Sequence, residues 1–233
     1  MMSETNHVPM RATTVDNDIR TYLVAEFSRI RESRKHRRTM QSLPRPWPSP
    51  ETIEMLVGRS NGQFVYASTV VKFVDDPYNR PSDQLDKMLC VPSSSRLPSA
   101  SQPFAELDKL YCQILSNSHN TELVLQILAI IRVIIDLAYT EYIVQFAFLE
   151  DGEGSSEKLL NLVKRLLNLK SGDSYIALRD VNSLVYLPEP TKRNQGHLRF
   201  FHWSFGQFLQ DEERCRKQYV DPADTHAEIV YAL

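Results

Sequence analysis

From residue 16 to residue 167 the apolar side chains recur three and four positions apart, and that spacing commits most of the chain to helices. Ile19, Tyr22, Leu23, Phe27 and Ile30 form a first stripe, with Asp16 or Asn17 as its cap. Ile53, Leu56 and Val57 form another, behind a Ser49 cap and Pro50 at the first helical position. After the break at Ser60-Asn61-Gly62, residues Phe64, Val65, Ala67, Val70, Val71 and Val74 predict a strongly apolar helix. Their β-branched side chains leave a strand as the alternative. Ser82 is expected to cap a helix through Leu85, Met88 and Leu89. Phe104, Leu107, Leu110, Tyr111, Ile114 and Leu115 give a clean stripe. Ser155 or Ser156 caps the helix of Leu159, Leu160, Val163, Leu166 and Leu167. The most apolar run, Leu123 to Tyr139, carries Gln126, Arg132 and Asp136. Charge at a helix centre disfavours membrane insertion, so this run predicts a buried helix.

The chain divides where the periodicity stops. Residues 1–15 have the look of a disordered N-terminus, and 16–90 of a helical domain. Within it, at 43–50, Pro44, Pro46, Pro48 and Pro50 alternate around Trp47. Proline this dense forbids helix and ladder, which predicts a rigid extended connector or, alternatively, a polyproline ligand. Residues 91–103, rich in Pro and Ser, read as a linker. The part from 104 to 233 begins helical and includes a shorter apolar stretch at 142–149 and a helix at 172–180. The period then changes. Ser183 to Leu187 and His197 to His202 read as short strands around a turn-rich 188–196, and a last helix fits 222–233. Helix, helix, hairpin is the order of a winged-helix domain. The expected fold is mainly α: a helical bundle followed by a winged-helix-like domain with one short β-hairpin. Only 7 glycines stand against 13 prolines, so glycine-dependent hairpins are scarce.

Charge and motifs narrow the chemistry. The net charge of -2 gives no overall attraction to nucleic acid or anionic membrane. The run Arg29, Arg31, Arg34, Lys35, Arg37 and Arg38 suits a solvated helix C-terminus, where cations favour the dipole. Its alternatives are a nuclear-import or phosphate-binding patch. Cys90, Cys112 and Cys215 lie far apart and make no CxxC pair, which fits a reducing, cytoplasmic setting. The six histidines show no zinc spacing, and a Cys112–His119 pairing competes with an inert packed thiol. No GxxxxGK[ST] loop is present to cradle β- and γ-phosphates, and no strand ends in an acidic pair fit for magnesium. Neither an enzymatic activity nor a cofactor is expected, and no metal or small-molecule substrate.

Near the end stands His202-Trp203-Ser204-Phe205-Gly206-Gln207-Phe208-Leu209, a polar turn opening a short amphipathic helix after a strand. It resembles the His-x-Ser-Phe-x-x-Phe-Leu signature near the C-terminal end of the NACHT ATPase module of mushroom-type fungi. Other segments resemble the same family in the same order: Asp18 to Phe27, the Trp47-Pro48 turn, and the segment from Gly62 to Val74 with Phe64 and Tyr66. They are followed by Pro103 to Tyr111, with Phe104, Leu107 and Tyr111, and by Gly172-Asp173 with Leu178-Arg179. Together they cover about residues 16–233.

The resemblance implies the helical and winged-helix lid of a signal-transduction NTPase of the NOD-like class, linked to non-self recognition or regulated cell death. It implies His202 as a candidate β-phosphate sensor, with a capping or packing histidine as the alternative. Ser204, Phe205 and Phe208 complete the signature. Trp203 stands where related switches often carry a small or acidic residue. With no phosphate cradle, the chain reads as starting just after the NTPase core: a truncated paralogue, a mis-split gene or a fragment. The expected function is a non-catalytic regulatory module whose partners are proteins, among them the NTPase core of a full-length relative. The alternative is a winged-helix nucleic-acid binder, which Arg179, Lys192 and Arg193 support only weakly.

Overall fold

The computed structural model describes residues 14–90, 104–140, 155–188 and 198–221. The expected linker at 91–103, the apolar stretch at 142–149, the helix at 222–233 and nearly all of the turn at 188–196 lie outside the described residues. What is described is mainly helical, with eleven α-helices and one two-stranded antiparallel sheet.

The first group of helices is α1 (Thr14–Glu32), α2 (Arg37–Met40), α3 (Pro50–Ser60), α4 (Phe64–Val74) and α5 (Pro81–Leu89). Helix α1 buries Ile19, Leu23, Phe27 and Ile30. In α3 the Ser49 hydroxyl accepts from Thr52 N–H, Pro50 holds the first turn, and the helix stops at Asn61 with φ 46°. Gly62 follows at φ 73°, a backbone that favours glycine. The segment after it is helix, not strand. Tyr66, Ala67, Thr69, Val70, Val71, Phe73 and Val74 are buried around most of its circumference, and that packing outweighs the β-branched preference. Helix α5 starts at Pro81 rather than behind a Ser82 cap: proline's fixed φ suits the first helical position, which puts Ser82 inside the helix, where it donates to Asp83.

Two expectations about the 29–50 region are corrected. The proline connector is a series of bends with cis peptides before Pro46 and Pro48, not an extended link. Trp47 meets Phe27 edge-on at 5.6 Å. The basic run is not a single solvated helix end, because α1 stops at Glu32 and the chain turns into α2. Arg29 pairs with Glu26 and Asp75, Lys35 pairs with Asp75, and Arg31 donates to the carbonyls of Leu43 and Pro44. His36, 2% exposed, places Nε2 3.1 Å from the same Asp75.

The second group comprises α6 (Ala105–Ser116), α7 (Thr121–Thr140), α8 (Ser155–Leu166), α9 (Asp173–Arg179), the hairpin β1 (Val185–Tyr186) and β2 (Arg199–Phe200), α10 (Trp203–Gln210) and α11 (Glu212–Cys215). Val185 pairs with Phe200, and Tyr186 with Arg199. Helices α3 and α4 pack on α6, and one cluster of buried apolar residues runs from Ile19 to Cys215. Asp76 accepts from Asn182, and Lys72 lies 4.9 Å over the Phe201 ring, so polar contacts also cross between the groups. Among the described residues no single helix is long and apolar enough to cross a membrane. Helices α6 and α7 together have the length and composition for it but are bent by 119°.

Candidate functional site

The hairpin ends where Phe201 N–H donates to Leu184 O, and the next residue, His202, is extended at φ -142° and ψ 138°. Its imidazole caps α10. Nδ1 accepts from the Ser204 backbone N–H at 3.2 Å, which assigns it as the acceptor nitrogen. The Ser204 hydroxyl, 2.7 Å away, therefore donates to it, and the Tyr111 hydroxyl donates onward to Ser204 at 2.8 Å. A directed chain of hydrogen bonds thus runs from α6 into the helix cap. Phe201, His202 and Trp203 are exposed above it, Trp203 at 69% and Phe201 at 41%.

The base of the site is aromatic. Phe205 stands 5.1 Å from Tyr111 and 5.3 Å from Phe200, both edge-on, and Phe208 stands 5.3 Å from Tyr111. Burial pushes the Tyr111 phenol up to about 12. It pushes Tyr66 to about 12 as well. An unfolded tyrosine ionises near 10, so between pH 10 and 12 the unfolded chain sheds protons that the folded chain keeps. Stability is therefore expected to fall as pH rises through that window. Tyr111→Phe should remove part of the slope, read from denaturant midpoints measured across it.

The charges in the apolar helix have a structural role. Arg132 and Asp136 of α7 pair with each other, and Asp136 accepts from Gln210 at the end of α10. Arg132 lies against Gly206, where a Cβ would sit 3.2 Å from its Nε and 3.4 Å from the Phe200 ring. The missing side chain of Gly206 gives Arg132 its passage. Arg132, Asp136, Leu209, Gln210 and Gln218 line a cavity of about 30 Å³ beside it. In α11, just beyond Gln210, Arg214 grips Asp108 with two bonds, of 3.0 and 2.6 Å, and lies 5.4 Å over Phe104. The bond to Asp108 raises the pKa of this guanidinium.

Tyr111, Ser204, Phe205 and Phe208 are thus built into one cluster beneath His202, with Leu107 on the same buried stripe of α6 as Tyr111. Phe104 is exposed beside Arg214. Trp47, Gly62, Phe64 and Tyr66 belong to the first helical group, where Phe64 packs on Tyr22 at 4.6 Å. His119 is held by Asp180 at 2.9 Å, and burial pushes the Cys112 thiol up, the reverse of what an activated nucleophile needs. Among the described residues no three His, Cys, Asp or Glu side chains gather in a way that could hold a metal ion.

Sequence reasoning missed the Asp75 node and the Asp108–Arg214 pair. The latter joins positions 106 apart and leaves no local signal. The Arg132–Asp136 pair did leave one, an acid and a base four apart inside an apolar stripe. No protein-family model matches the chain, and no curated protein or solved structure matches it either.

Proposed function

We propose that this chain is a non-catalytic regulatory module that works through protein contacts, like the helical and winged-helix lid of a NACHT switch. The observation that carries the reading is the exposed ridge Phe201-His202-Trp203, standing on the buried base of Tyr111, Ser204, Phe205 and Phe208. Exposed aromatics on a rigid support are the residues that dominate protein contacts. The order of α8, α9 and the hairpin supports the winged-helix part of the proposal, and the division at 91–103 belongs to it too. So does a cytoplasmic, reducing setting, with Cys90, Cys112 and Cys215 all unpaired. The proposed partner is the NTPase core of a full-length relative. The nucleic-acid reading is less well supported, because Arg179, the cation of its candidate recognition helix, lies 4.9 Å over the Tyr78 ring.

The test has two arms. Magnesium and ATP should leave the melting temperature of the isolated chain unchanged, since a ligand that binds only the folded state would raise it. The chain should bind the recombinant NTPase core of a fungal NACHT protein, and Trp203→Glu should weaken that binding about thirtyfold, as for a central aromatic anchor. A nucleotide-dependent shift, or full binding by the Trp203 variant, would overturn the proposal.

A further inference from the structure

The basic run from Arg29 to Arg38 separates into two populations. Arg29 and Lys35 are neutralised on Glu26 and Asp75, and His36 is buried on Asp75. Arg34, Arg37, Arg38 and Arg45 are exposed and hold no hydrogen bond or ion pair among the described residues. Tight turns, His36 N–H to Ser33 O and Thr39 N–H to His36 O, carry the chain from α1 into α2. Positions 34, 37 and 38 thus lie within five residues of one another around this tight connection. Arg31 donates to Leu43 O at 2.7 Å and Pro44 O at 2.9 Å, which returns Arg45 to the end of α1. Four unpaired guanidinium groups therefore gather at one corner of a chain whose net charge is -2.

We infer that this corner docks an acidic peptide segment, a run of Asp or Glu, on a protein partner. The inference rests on the reading of the chain as an interaction module and gives that partner a chemistry. All four groups are arginine, whose planar fork matches carboxylates with two bonds at a time. The large exposed apolar residues, from Val15 and Val24 to Phe201 and Trp203, include none between 29 and 45. The corner therefore lacks the apolar anchors of a membrane-surface contact and the aromatic faces that stack bases. Four cations are also fewer than the phosphate contacts on which strong nucleic-acid binding rests. Nor is the run an extended import signal: His36 at its centre is 2% exposed and pinned to Asp75.

The experiment uses the whole chain and a fluorescein-labelled poly-glutamate peptide, with binding followed by anisotropy at low and high salt. A single-stranded oligothymidine and vesicles of phosphatidylserine with phosphatidylcholine form parallel arms. The peptide should bind, and salt should weaken it by screening. Arg34→Glu with Arg37→Glu and Arg38→Glu should weaken it about tenfold, the sum of three exposed ion pairs. The control triple Lys158→Glu, Arg165→Glu and Lys217→Glu makes the same change in net charge at exposed sites elsewhere and should bind as the parent does. All replaced side chains of the test variant are exposed, and a melting curve verifies its fold. Absent peptide binding, equal loss in both triples, or tighter binding of oligothymidine or vesicles would overturn the inference. None of those results bears on the Trp203 contact, so the two readings fail separately.

Discussion

Phe205→Ala is expected to destabilise the chain by about 3–5 kcal/mol, the cost of emptying an aromatic site in a packed core. Phe205 is 1% exposed, and its ring contacts those of Tyr111, Phe200 and Phe208. Urea unfolding should show a lower midpoint with the slope unchanged, since the surface exposed on unfolding barely alters. Small domains hold about 5–15 kcal/mol in all, so the loss is a large share of the total. Phe205→Leu should cost clearly less, because most of the volume stays. If the alanine variant lost under about 1 kcal/mol, the aromatic base beneath His202 would not be the rigid support described for it.

The second large effect is expected at Asp75. This carboxylate takes a bond from Arg29, an ion pair from Lys35 and the ring of buried His36. Asp75→Ala leaves the imidazole buried without this acceptor and Lys35 without its anion, while Arg29 keeps Glu26. A loss of about 2–3 kcal/mol follows from stranding a buried polar group and breaking a half-buried ion pair. Asp75→Asn keeps an acceptor oxygen for one partner and should lose less. Thermal melts of both variants at neutral pH check the order. Equal melting temperatures for parent and alanine variant would mean that the node holds nothing together.

Helix-period apolar spacing foretold what local pattern controls. The stripes of α1, α3, α6 and α8 fall where the three-and-four rule places them, because an amphipathic face needs only its own residues to declare itself. The paired strands at 185–186 and 199–200 followed from a change of period. The failures have physical causes. Ser82 lost its capping role to Pro81, whose fixed φ and missing N–H suit a first turn better. The arginine run looked like one helix end because its partners, Asp75 and the carbonyls of Leu43 and Pro44, lie distant along the chain. At the candidate site, His202 as a cap and Phe205 and Phe208 as an apolar face were legible, since they are i, i+3 relations within one helix. Tyr111 reaching Ser204 was not, because only folding brings together residues 93 apart.

The direction of hydrogen bonding at His202 limits what can touch it from outside. Since Nδ1 receives the Ser204 amide hydrogen, the proton of the neutral ring resides on Nε2. The outer edge of the imidazole offers a hydrogen and no lone pair. A carbonyl, carboxylate or phosphate oxygen can meet it head-on, whereas an ammonium group would find nothing to bond. A zinc ion could coordinate there only if the proton moved to Nδ1, and the two hydrogens would then collide at the start of α10. The helix that the ring begins therefore dictates the polarity of whatever approaches it.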